Sequence, residues 1–136
     1  MRAQPSSWNV AVSFAAAALV TFLARALIDF GFVYRELYPT TGSMGWLTLI
    51  YVVFLAGWIW ALLLAARGSR RAMIVLLAYE TIIVFHALGT QVVFCPFPCQ
   101  TAWPLAQIVV VANLLFGIPA ALTALLSLTR KPAVSS

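Results

Sequence analysis

Four long apolar runs divide the chain, and the polar positions collect in the short stretches between them. The runs cover about residues 8–33, 45–66, 71–94 and 104–128. Each meets the length of roughly 20 residues that a helix needs to cross a bilayer. They are too long and too continuous for barrel strands, and a chain in lipid must pair its backbone groups internally, so helices are the solution left. The pattern predicts an all-α integral membrane protein. One four-transmembrane-helix bundle takes up the whole of residues 1–136.

The stretches between the runs read as stops. "QPSSW" offers Ser6 or Ser7 as a cap for the first helix, and "YPTTG", with Pro39 and Gly42, ends it. "RGSR" is a tight turn that makes the second and third helices antiparallel neighbours, and the three prolines of "CPFPCQTAWP" keep that loop from being helical. Gly57 and Ala61 form a small-xxx-small pair on the second helix. On the fourth, Ala106, Asn113, Gly117, Ala120 and Ala124 make a mostly small stripe; both suit close helix packing. Trp46 and Trp60 fall near the ends of the second helix, where aromatic belts form.

Composition agrees with the pattern: 64% of the residues are hydrophobic and 8% charged, which excludes an ordinary soluble domain. The formal net charge of +5 would suggest nucleic acid, but its placement points elsewhere. Arg67, Arg70 and Arg71 lie between the second and third runs, Arg130 and Lys131 follow the fourth, and Arg2 precedes the first. Four crossings bring all of them to one side. The positive-inside rule makes that side, with both termini, cytoplasmic. The bases then meet anionic lipid headgroups, and no nucleic acid is expected as a partner. Arg2 and the first run also resemble a cleavable signal peptide, but the apolar run continues through Ile28, Phe30 and Val33, so the reading is a retained span.

Ionisable side chains at membrane depth are costly and face a bundle interior or a wet cavity. At 1.5 Å per residue, Arg25, His86 and Asn113 lie roughly 12–13 Å from the outer ends of their helices and Glu80 roughly 21 Å, while Asp29 sits near the outer interface. Thr21, Arg25 and Asp29 recur every fourth residue and share one stripe. Glu80 and His86 are about 120° apart around the third helix, so they cannot both face the same neighbour. The candidate ligand-binding set is Asp29, Glu80, Arg25, His86 and Asn113, with Tyr79 and Trp58 against an apolar ligand body. The bland reading pairs Arg25 with Asp29 or with Glu80 as structural glue, and makes His86 a satisfied core histidine. A carboxyl at Glu80 could also donate a proton or attract an amine.

Cys95 and Cys99 in "CPFPC" fall in the outer loop, where an oxidising compartment favours a disulfide that staples the mouth of the bundle. A redox pair exchanging electrons with a quinone or a thioredoxin-like partner is the alternative, although CxxxC is not the CxxC of thiol oxidoreductases. Two cysteines without nearby histidines do not make a metal site. The sequence calls for no cofactor.

Asp29 followed by Arg35-Glu36-Leu37-Tyr38-Pro39 resembles the sigma-2 receptor branch of the EXPERA superfamily, which also includes emopamil-binding protein, a sterol isomerase. "NLLFGIPAAL" is similar to the proline-interrupted last helix of that branch. The resemblance implies a four-helix bundle with cytoplasmic termini and a lipid-accessible cavity in which Asp29 holds a ligand. This chain departs from the pattern in three ways. Its first loop is shorter, the Asp-to-RELYP spacing is one residue tighter, and its second helix lacks the acidic residue that faces the family's cavity. Glu80 would have to supply that second carboxylate.

The function expected from the sequence is therefore binding of a hydrophobic small molecule, sterol-like, isoprenoid or a cationic amphiphile, in an intramembrane cavity. Asp29 and Glu80 would be its polar anchors. If the protein is an enzyme, those two carboxylates would act as acid and base in an isomerisation. The alternative is a non-catalytic accessory subunit or assembly factor of a larger membrane complex, or a homo-oligomer, in a bacterial inner membrane or the endoplasmic reticulum.

Overall fold

The computed structural model describes residues 6–28, 30–31, 41–89 and 104–129. Its helices are α1 (Ser6–Ile28), α2 (Thr41–Ala66), α3 (Arg70–Gly89) and α4 (Pro104–Thr129). All four are long and apolar enough to cross a membrane. Residues 30 and 31 form a π-helical turn beyond α1. The second helix begins four residues ahead of the expected Gly45, because nothing in Thr41-Gly42-Ser43-Met44 forbids helix once Pro39 is passed. The expected ends of the first and third runs, residues 32–33 and 90–94, lie outside the described residues, as do Asp29, the "RELYP" segment, Cys95 and Cys99.

The helices form a ring in which α1 packs most extensively on α4, α4 on α3, α3 on α2, and α2 more sparsely on α1. Lipid-like surroundings give no hydrophobic drive for helices to associate, so side-chain size sets these contacts. Small residues line the tight seams. Ala11, Ala15, Ala18 and Ala26 are buried on α1, and Asn113, Gly117, Ala120 and Ala124 on α4, which is the stripe the sequence predicted. The side chain of Ala106 lies outside the described set. The outer surface is largely apolar, with Trp46, Val53, Trp60, Phe85, Leu115 and Leu122 all exposed. Trp46 and Trp60 stand near the two ends of α2, as a belt requires.

One end of the bundle is pinned by specific bonds. Trp8 Nε1 donates to the Ala65 carbonyl at 2.8 Å, tying the start of α1 to the end of α2. Arg70 donates to the Leu128 carbonyl at 3.1 Å, tying the start of α3 to the end of α4 and placing a cation at a helix C-terminus. The α2–α3 turn lies at this same base end. Gly68 takes φ 90°, its N–H bonds to Ala65 O at 2.9 Å and that of Ser69 to Leu64 O at 3.0 Å, which is a Schellman closure. Ser69 Oγ then accepts from the Ala72 N–H at 3.3 Å and caps α3. "RGSR" is thus the tight turn expected. At α1 the expected capping by Ser7 is not made: Ser7 lies inside the helix, and its Oγ has no partner among the described residues.

Candidate functional site

Two features gather the polar and aromatic side chains, and they lie on opposite sides of Trp58. The first is a cavity of about 180 Å³ lined by Phe22 of α1, Ile50, Tyr51 and Phe54 of α2, and Ile82, Ile83 and His86 of α3. It exists because α1 and α2 pack sparsely, so the ring is loosest where three bulky aromatic rings meet. Phe22 stacks on Tyr51 at 5.8 Å, and Phe30 meets Tyr51 edge-on at 5.0 Å. Phe22 and Ile83 are buried and form the floor, whereas Ile50 is 61% and Ile82 53% exposed. The cavity therefore opens sideways between α2 and α3 onto the apolar outer surface. His86, also exposed, brings an imidazole to its lining, and Tyr51 brings a phenol.

The second feature is a polar cluster in the core. Glu80 is 0% exposed. Its Oε1 accepts from Trp58 Nε1 at 3.2 Å, and its Oε2 has no partner among the described residues. Trp58 is itself sealed by rings: Tyr79 stacks on it at 6.1 Å and 4°, while Phe22 and Phe54 meet it edge-on at 5.5 and 6.1 Å. Tyr79 can lie flat there because Gly57 has no side chain. A Cβ at Gly57 would fall on Tyr79 Oη and within 3.3 Å of its Cζ. Trp58 and Tyr79, the two aromatics singled out in the sequence, pack on each other and on Phe54, and Trp58 also meets the floor residue Phe22.

On the far side of Glu80, Asn113 of α4 is fully buried and accepts from Thr21 Oγ1 of α1 at 2.9 Å. Arg25 lies one turn beyond Thr21 on the same stripe and is 6% exposed. The carboxyl of Glu80 takes Trp58 as its polar partner, so the sequence's pairing of Arg25 with Glu80 is not the bond it makes. The structure thus joins Trp58, Tyr79 and Glu80 in one group and Thr21 and Asn113 in another, with His86 on the cavity. Glu80 is buried and His86 exposed. Phe22, Tyr51 and Phe54 were not singled out from the sequence, because an aromatic within an apolar run carries no mark of the cavity it lines. Among the described residues no group of three or more metal-ligating side chains forms. No family of known proteins, no curated protein and no solved structure matches this chain.

Proposed function

We propose that the protein is a multi-pass membrane protein that takes a hydrophobic small molecule, sterol-like, isoprenoid or a cationic amphiphile, from the bilayer into the cavity between α1, α2 and α3. The observation that carries this reading is the cavity itself: an apolar and aromatic lining with one imidazole and a sideways mouth, which is the usual composition of a small-molecule site. A ligand partitioned into lipid reaches such a mouth without crossing water. Its apolar body lies on Phe22, Phe54 and Ile83, and a polar end meets His86. Asp29, which directly follows Ile28 of α1, is the second anchor on the strength of the resemblance to the EXPERA branch. Glu80 holds the floor from behind through Trp58. The exposed arginines Arg67, Arg70 and Arg71 at the base support, by the positive-inside rule, an orientation with that end and both termini in the cytoplasm. On this orientation the sequence segment with Cys95 and Cys99, outside the described residues, would meet the compartment whose oxidising conditions favour a disulfide.

The test is a thermal-stability panel of sterols, isoprenoid lipids, quinones and hydrophobic amines on the purified protein, run on wild type, Asp29→Asn and Ile50→Trp. Ile50 stands at the exposed rim, so the indole fills the mouth without disturbing the core. A compound that raises the midpoint of wild type and not of Ile50→Trp supports the cavity, and loss in Asp29→Asn assigns the anchor. No shift from any class overturns the reading. The second reading, an accessory subunit of a larger complex, is favoured by α2, whose span is 17% buried against 39% for α1. A partner helix bound on that face would be recovered by cross-linking from Val53 in native membranes.

A further inference from the structure

Two buried polar atoms at the centre of the bundle have no hydrogen-bond partner among the described residues, Glu80 Oε2 on α3 and Asn113 Nδ2 on α4. Both side chains are 0% exposed. Polar groups this deep carry the full cost of desolvation unless something bonds to them. Gly117 lies one turn from Asn113 on the same face of α4. Among the described side chains of other helices, Val84 Cγ2, at 3.1 Å, and Glu80 Oε2, at 3.9 Å, lie nearest the point where its Cβ would stand. Gly117 thus puts no side chain of its own against the open side of the carboxyl.

We infer that Glu80, Asn113 and Gly117 form an internal site for a single water molecule, which bonds to Glu80 Oε2 and to the amide of Asn113. Water meets the chemistry of both groups. It donates to a carboxylate oxygen or accepts from a protonated one, and it accepts from the amide nitrogen in either case. The assignment survives rotation of the amide. Thr21 has one hydroxyl proton, and both Ala18 O and Asn113 Oδ1 lie 2.9 Å from its Oγ1. If the proton stays on Ala18 O, Asn113 turns its Nδ2 to Thr21 and leaves Oδ1 open, and the water donates its second proton there. In either case one polar chain crosses the core from Trp58 on α2 through Glu80 on α3, the water, and Asn113 on α4, to Thr21 on α1. All four helices are then held in one register by bonds that only this arrangement satisfies. The inference is independent of the ligand reading, since it concerns the core behind the cavity floor.

The test compares Gly117→Ala with Gly117→Ser in the full-length purified protein, reading the thermal midpoint by intrinsic tryptophan fluorescence. Both variants bring the same Cβ against Val84, so their difference isolates a hydroxyl. Alanine displaces the water and leaves Glu80 Oε2 bare, whereas serine places its own O–H there. Serine should melt above alanine by about 3 °C, although it is the weaker helix former. In a Glu80→Met background that advantage should vanish. Alanine equal to or above serine, or the same serine advantage with and without Glu80, overturns the site. Should neither Gly117 variant fold, a double-mutant cycle of Glu80→Met and Asn113→Leu decides. Midpoint shifts that fail to add support a shared water between residues that do not bond directly, and additive shifts overturn it.

Discussion

Adding one methyl group at Gly57 should cost the protein stability, and the geometry says how much. The Cβ of Gly57→Ala falls on Tyr79 Oη, so the phenol has to move. An exposed tyrosine would swing aside freely, but this ring is stacked on Trp58 at 6.1 Å and set edge-on to Phe54 at 4.8 Å. Such aromatic pairs contribute about 0.5–1.5 kcal/mol each beyond their area, so losing both costs about 2 kcal/mol. Alanine returns about 1 kcal/mol as the better helix former. The net loss is about 1 kcal/mol, or a midpoint lower by roughly 3 °C. Gly45→Ala is the matched control, because among the described residues no other helix comes within 4 Å of a Cβ there, and it should be neutral or slightly stabilising. The decisive variant is Gly57→Ala with Tyr79→Phe. Removing the hydroxyl removes the overlap and leaves the helix gain, so the methyl should no longer be harmful in that background. A Gly57→Ala protein as stable as wild type, or a loss unchanged by Tyr79→Phe, would refute the slot between these residues.

Two further outcomes test the same core and the base. Trp58→Phe withdraws the donor from a fully buried carboxyl and should destabilise by about 1–3 kcal/mol, measured by thermal melting. In a Glu80→Met background the same change should cost clearly less, since no carboxyl is left unpaired. Gly68→Ala forces a Cβ into φ 90° at a cost of about 1–2 kcal/mol, and Gly68→Asn should recover part of it. Equal melting of the two Gly68 variants would show that the turn does not depend on the left-handed conformation.

The four helices and the α2–α3 turn were legible because length, hydropathy and the glycine of "RGSR" each admit one solution. The seam on α4 was legible too, since Asn113, Gly117, Ala120 and Ala124 are small or polar against a background of leucine and valine. Partner choice was not. In a helix with lipid-like residues all round, the buried and the outward faces are both apolar, so periodicity does not say which way Trp58 or Phe22 points. The separation of Glu80 from His86 followed from 100° per residue. That Trp58 would bond Glu80, or that α1 would pack more on α4 than on its chain neighbour α2, depends on how side chains of particular size fit across the ring. Asn113 stood out as polar, yet its partner Thr21 was recognisable only as a member of the stripe that also holds Arg25 and Asp29.

The two pins at the base, Trp8 to Ala65 and Arg70 to Leu128, give the bundle the mechanics of a clasp with a fixed root. His86 lies sixteen residues along α3 from Arg70, roughly 24 Å from that root. Rotating α2 about the base by about 5° would move the cavity wall by roughly 2 Å at that distance. Under the proposed ligand-binding function, guests of different girth would be admitted by leaning one helix, with the turn at Gly68 and both carbonyl ties left intact.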